Sequence, residues 1–299
     1  MGRGSYNASD WNKLKNSRNT SGAKNEKEIF RSTKCDQRFD PRYIQHREAR
    51  DSEDHPESLP IIIGLDVTAS MGYLAEQVAK ESLNETMMKL YSTNAVKDPA
   101  LMFAAYGDGD DESPLQVTQF ESDIRIAEQL LDLWLENGGR GWVVPCMLWY
   151  FAAFHTKLDN YDKRKKKGFI FTIGDDADCR NDSEHDALMT HFKRVFVEDV
   201  DMSVRDILKA AEEKFEVFHI FLSNTYYRGP GIVEMLPGHT MVIGTDDIGA
   251  IPEIIISTIQ MTKGMTLEQA VRQWPELKRP ALSGALSSLQ IKNEKGLSF

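Results

Sequence analysis

Residues 60–72 read Pro-Ile-Ile-Ile-Gly-Leu-Asp-Val-Thr-Ala-Ser-Met-Gly. An unbroken apolar run rich in β-branched residues suits a strand buried on both faces. Beyond the turn, Ala75, Ala79, Leu83, Met87 and Tyr91 recur at i, i+4 spacing, which predicts a helix to about Tyr91. The junction itself carries three oxygen-bearing side chains, Asp66, Thr68 and Ser70, at alternate positions. In a tight loop, alternate positions can converge on one point. A carboxylate and two hydroxyls, completed by water, suit a hard cation such as Mg²⁺, with Mn²⁺ or Ca²⁺ as alternatives. The competing reading is that Thr68 or Ser70 merely caps the following helix.

The remaining pattern alternates in the same way. Residues 101–106 and 115–120 read as strands joined by the turn 107–111, a short link that favours an antiparallel hairpin. Helices are predicted over 123–135 and 143–155, the latter with Pro145 in its first turn. Residues 169–173 form another apolar strand, ending at Gly174-Asp175-Asp176. Helices follow over 186–196, 203–214 and 248–262, with strands over 217–222 and 240–243. The five basic residues 163–167 read as a solvated loop. This alternation of strands and helices predicts an α/β fold: a mainly parallel central sheet, one antiparallel edge strand, and helices on both faces. In such sheets the ligand site lies beyond the carboxyl ends of the strands, where their order reverses. Asp66 and Asp175 both stand at strand ends of that kind.

A chain of 299 residues with 41% hydrophobic content has material for one sizeable core. No run approaches the roughly 18 apolar residues of a membrane span. Met1–Tyr6 lacks the apolar stretch of a secretory signal, and Tyr6 fails the myristoylation pattern. Cys35, Cys146 and Cys179 are odd in number and widely spaced, as expected of free thiols in a reducing compartment. These features together predict a soluble, cytoplasmic protein that does not engage membrane. Charge is uneven: residues 1–50 carry a balance of +6, which leaves −16 for the remainder of a chain at −10. An acidic body argues against nonspecific nucleic-acid binding, and the basic segment could meet an acidic surface of its own or of a partner. Residues 1–58 are polar, with scattered apolar residues (Trp11, Ile29, Phe30, Phe39, Tyr43 and Ile44). They read as a basic, partly extended arm, removable without unfolding the rest. The α/β domain is expected over 59–263 and a helical, polar tail over 264–299.

The stretch Ile61-Ile62-Ile63-Gly64-Leu65-Asp66-Val67-Thr68-Ala69-Ser70-Met71-Gly72 resembles the von Willebrand factor A (vWA) family. It is similar to that family's hydrophobic strand and its Asp-x-Thr/Ser-x-Ser metal-ion-dependent adhesion site (MIDAS). The element order fits as well, over roughly 59–262. The resemblance implies a Rossmann-like fold and a metal surrounded by Asp66, Thr68 and Ser70, with Asp175 completing the inner region. It further implies a non-enzymatic module that binds a protein partner through that partner's Asp or Glu. Intracellular members of the family often act in assemblies, some with AAA+ ATPase partners. The chain departs from the family in the loop Asn137-Gly138-Gly139-Arg140-Gly141-Trp142. The family usually offers a Thr there, and this loop has none. Asn137 could coordinate through its amide oxygen. Arg140 would repel a cation or pair with Asp108 or Asp175.

An enzymatic alternative is also open. The Asp66–Ser70 loop looks somewhat like the nucleophile loop of haloacid-dehalogenase-type phosphatases, with Gly174-Asp175-Asp176 as their late metal-binding loop. Against it, the usual second Asp is Thr68, and a helix follows at once, where those enzymes place a flap. Cys179, His185 and His191 have spacing compatible with zinc but lack paired cysteines. His155, His219 and His239 lie on apolar elements and read as core histidines. Asp108, Asp176 and Thr172 read as ordinary turn, surface and strand residues.

Overall fold

The computed structural model describes residues 4–23, 25–78, 82–139, 143–175, 185–223 and 231–291. The first part of the chain forms α1 (Ala8–Arg18), α2 (Glu26–Ile29), β1 (Arg47–Ala49), β2 (Leu59–Asp66), α3 (Gly72–Gln77), α4 (Leu83–Ser92), β3 (Pro99–Tyr106), β4 (Leu115–Val117) and α5 (Arg125–Leu131). It continues through α6 (Pro145–Phe154), β5 (Thr156–Leu158), α7 (Asp159–Arg164), β6 (Gly168–Gly174), α8 (His185–Phe196), α9 (Val204–Lys214) and β7 (Phe215–Ser223). Last come α10 (Gly231–Met235), β8 (Thr240–Gly244), α11 (Ile251–Thr262), α12 (Leu267–Arg272) and α13 (Arg279–Leu286).

Among the described residues six strands make the central sheet, in the order β4-β3-β2-β6-β7-β8. All neighbours run parallel except β4, which is antiparallel to β3. This is the α/β architecture the alternation predicts. β2 lies at the centre, paired along its length with β3 and on its other side with β6. It is buried from Pro60 through Asp66, which explains its continuous apolar sequence. Successive residues point to opposite faces. Ile61, Ile63 and Leu65 join a core with residues of α3, α4 and α11. Ile62 joins the opposite core, with residues of α6, α8 and α9. A Cβ at Gly64 would lie 2.4 Å from Leu148 Cδ2, so the glycine is what lets α6 press directly onto β2. The chain leaves β2 towards β3 on one side and later returns as β6 on the other. The reversal therefore falls between the carboxyl ends of β2 and β6.

Helical backbone runs from Gly72 to Val78 and from Ser82 to Ser92, as the stripe predicts, and Ala79 falls in 79–81, outside the described residues. Other boundaries differ from expectation. β4 stops at Val117, because the Thr118 hydroxyl takes the Phe103 N–H at 2.8 Å. The basic run at 163–167 is not all solvated loop: Lys163 and Arg164 end α7, Lys163 pairs with Asp159 at 2.7 Å, and Arg164 pairs with Asp51 at 2.8 Å.

The largest departure is in residues 4–58, read from sequence as a partly extended arm with few anchors. α1 is capped by Asn7, whose side chain accepts from the Asp10 N–H. Tyr6, Trp11, Leu14, Ile29, Phe30 and Phe39 are buried in the same cluster as Ile61 and Ile63 of β2. β1 pairs in parallel with β5. Arg18 and Arg50 meet the acidic body, on Asp132 at 2.9 Å and on Asp159 at 2.8 Å, while Arg42 pairs with Asp40 inside the segment. The apolar residues are too widely spaced to form a stripe, yet all but Tyr43 of those named above are buried in the assembled fold. Residues 264–291 are packed too: Ala270, Trp274, Leu282 and Leu286 are buried, and the Trp274 indole donates to Ser257 Oγ at 2.8 Å. Residues 292–299 lie outside the described residues. Among the described residues no helix is long and apolar enough to cross a membrane.

Candidate metal centre

β2 ends in Asp66, whose side chain is fully buried. The Thr68 N–H and hydroxyl both donate to Asp66 Oδ1, at 2.9 and 2.7 Å. This side-chain turn bends the chain back at the strand end. Thr68 Oγ1 comes to 3.3 Å from Ser70 Oγ, and the Ser70 hydroxyl donates to Asp175 Oδ1 at 3.2 Å. Asp175 follows the last residue of β6. The four residues singled out by sequence are thus joined in one run of oxygen contacts across adjacent strand ends. Neither hydroxyl is spent on helix capping, since the turn at Ala69–Met71 and α3 both begin without a side-chain cap.

Electrostatics single out the same place. Burial raises the Asp175 carboxyl above its ordinary range, against the lowering effect of the Ser70 hydrogen bond. The Tyr73 phenol on α3 is raised first by burial, then by the charges of Asp175 and Asp66. Both carboxylates therefore act on one point at the rim of the site. A Cβ at Gly174 would lie 2.9 Å from Asp66 Cβ and Oδ2 and 3.0 Å from the Tyr106 hydroxyl. The glycine leaves the space in which the Asp66 carboxylate stands beside β6. Among the described residues there is no group of three or more His, Cys, Asp or Glu gathered as for a metal ion. The donor set is instead two carboxylates and two hydroxyls, all hard oxygens. That set fits Mg²⁺, which normally keeps several waters and takes only one or two protein carboxylates.

The glycine loop packs on this turn. Asn137 and Gly139 have left-handed backbone, with φ of 55° and 111°. The Ala69 N–H donates to Gly138 O at 3.0 Å, and a Cβ on Gly139 would lie 3.2 Å from Thr68 Cβ. The Asn137 amide is engaged in its own loop, donating to Leu135 O at 3.4 Å. Arg140 and Trp142, and with them the predicted pairing of Arg140 with Asp108 or Asp175, lie outside the described residues. So do Asp176 and Cys179. Asp108 is buried and accepts the Asp110 N–H at 2.9 Å, as a turn aspartate does. Thr172 contacts His219 Nδ1 at 2.8 Å, and burial pushes that histidine down to about 3. His239 contacts Val217 O at 2.9 Å, and His155 contacts Glu198 at 2.9 Å. Of the zinc candidates, His185 faces Asp201 at 3.1 Å and His191 faces Asp110 at 3.7 Å. Cys35 and Cys146 are free thiols.

Two residues near the site have no clear signal in the sequence. Tyr73 is three positions after Ser70, in the first turn of α3, but nothing marks it as a rim residue. Asp111 belongs to an acidic turn, and the sequence does not say which of its carboxylates points inward. A cavity of about 1040 Å³ lies at the opposite, amino ends of the strands, with Lys97, Lys165, Lys166, Lys167 and Lys263 in its walls. The oxygen site, at the carboxyl ends of the strands, is not part of that cavity.

No family model matches this chain, and no curated protein matches it. Among solved structures it is similar to the pilus adhesin SpaC of Lactobacillus rhamnosus GG in its open conformation, with 9% identity and a TM-score of 0.45, over 71% of this chain and 31% of the adhesin. A second crystal form of that adhesin gives 9% identity and a TM-score of 0.44, over 72% and 31%. A von Willebrand factor type A protein from Catenulispora acidiphila gives 11% identity and a TM-score of 0.37, over 68% of this chain and 42% of that one. The chain thus spans less than half the length of each of these. Its fold is read from its own strand order and not from these neighbours.

Proposed function

We propose that this chain is a non-enzymatic, vWA-type protein-binding module whose Asp66, Thr68, Ser70 and Asp175 hold Mg²⁺, Mn²⁺ or Ca²⁺. The observation that carries this reading is the continuous run of oxygens from Asp66 to Asp175, at the point where the strand order reverses. Asp66 is held by two donors from Thr68, so its carboxylate is oriented before any ligand arrives. Ser70 is exposed, and it marks the side from which a partner would approach. A bound divalent ion would supply a coordination position on which an Asp or Glu of a protein partner replaces water. Tyr73, 40% exposed at the rim, offers that partner an aromatic contact. A cytoplasmic setting and an AAA+ ATPase as partner belong to this proposal through the family resemblance.

Calorimetry with Mg²⁺ and Mn²⁺ tests the site. The parent should bind one ion, and Asp66→Ala should abolish binding while keeping a cooperative melt. Equal affinity in a folded Asp66→Ala variant would show that the ion sits elsewhere.

A further inference from the structure

We infer that Asp111 is a positioning residue: its carboxylate latches the glycine loop at 137–139 to the β3–β4 turn, and through Gly138 it fixes the Ala69 amide of the Asp66–Ser70 loop. The latch is geometric and stands without a metal. Only its consequence for ion binding rests on the proposed function.

The clasp has two crossing arms. In one, Asp111 Oδ2 accepts the Asp108 N–H at 2.9 Å, and the same carboxylate accepts the Gly139 N–H. In the other, the Glu136 carboxylate reaches back and accepts the Glu112 and Ser113 N–H groups at 2.8 and 3.0 Å. Glycines stand on both sides of Asp111. A Cβ at Gly138 would lie 1.7 Å from its Oδ1, and one at Gly107 would lie 2.5 Å from its Oδ2. The loop so held presents Gly138 O to the Ala69 N–H at 3.0 Å. From the outer side, α8 braces the turn through Arg194 on Gly109 O and His191 facing Asp110 at 3.7 Å.

The charge at Asp111 is costly where it stands. Burial, with Glu136 and Asp108 as neighbouring charges, pushes it up to about 6. A neutral residue could close the turn with less desolvation. What the carboxylate adds is two acceptor oxygens, placed to take N–H groups from two different loops at once.

Hydrogen exchange of the Ala69 and Gly139 amides reads the latch directly, with the Phe171 and Ile220 amides as internal core references. In Asp111→Ala, and in Gly138→Ala, whose methyl group expels the carboxylate, protection at Ala69 should fall about tenfold, the effect of losing roughly one net hydrogen bond. Core protection should hold. The double variant should be no worse than either single. In the parent, the Ala69 protection factor should change as pH passes through about 6, and in the isosteric Asp111→Asn it should be flat. Asp111→Asn also serves if Asp111→Ala fails to fold. Unchanged Ala69 protection in folded Asp111→Ala or Gly138→Ala, or the same pH profile in parent and Asp111→Asn, overturns the inference. Mg²⁺ calorimetry on the same variants should show about tenfold weaker binding, and loosened amides with unchanged Mg²⁺ affinity would refute the positioning role. A parent that binds no Mg²⁺ would sink the proposed function, and the exchange results would still decide the latch.

Discussion

Asp66 can serve as an anchor because its neighbours leave it room and supply donors. Gly174, one strand away, is as important to it as any polar group. Gly174→Ala would drive a methyl group against both Asp66 and the Tyr106 hydroxyl, which donates to Ile173 O at 2.9 Å. Overpacking of this kind costs about 1–3 kcal/mol. The variant should melt lower by denaturant titration and should bind Mg²⁺ more weakly than the parent. Asp111 allows a signed prediction for pH. Its carboxyl is raised from 3.8 to about 6, so the folded state holds the proton more tightly than the unfolded chain. The resulting penalty on stability is present above about pH 6 and fades as pH falls towards the unfolded value. Asp111→Asn carries no such penalty. The melting temperature of the parent relative to Asp111→Asn should therefore rise between pH 7.5 and pH 5, and a constant difference would mean that Asp111 titrates normally.

α1, α2 and β1 show how a segment of polar composition can still be part of a core. Trp11 is 4% exposed, Phe30 5% and Phe39 1%, all against the body formed by later residues. Losing a single buried Trp or Phe costs about 3–5 kcal/mol. A truncation starting near Glu57 should therefore lower the melting temperature by well over about 5 °C, or prevent folding. A cooperative melt within a few degrees of the parent would show that these contacts contribute little. The ion pairs of this segment are partly exposed and are worth only about 0–1 kcal/mol each. The apolar anchors therefore carry the attachment.

The described chain builds two cores on the faces of one sheet, and the oxygen site sits at the sheet's carboxyl edge. That placement alone would also suit a phosphatase using Asp66 as nucleophile. We propose the binding module instead, because the position where such an enzyme needs a second carboxylate is Thr68, whose hydroxyl donates to Asp66. The purified protein with Mg²⁺ and a generic phosphomonoester should show no turnover. Turnover abolished by Asp66→Asn would reinstate the enzymatic reading.

Local patterning made the sheet and most of its helices readable before any coordinates. β-branched runs, i, i+4 stripes and short turn segments are encoded within a dozen residues, and they place Asp66, Thr68 and Ser70 at a strand-to-helix junction. Asp175 was readable as the end of a second strand. That the two strand ends are neighbours is decided by the strand order, in which β6 pairs directly with β2. The docking of residues 4–58, the pairing of β1 with β5, and the Asp111–Glu136 clasp were not readable. Each depends on contacts between residues far apart in the chain. Trp11 looks like any scattered apolar residue until the body that covers it exists. Asp111 looks like any turn aspartate until Gly138 is brought against it. A local pattern specifies which face of an element is apolar, but burial is a property of what that face meets, and only the assembled fold supplies it.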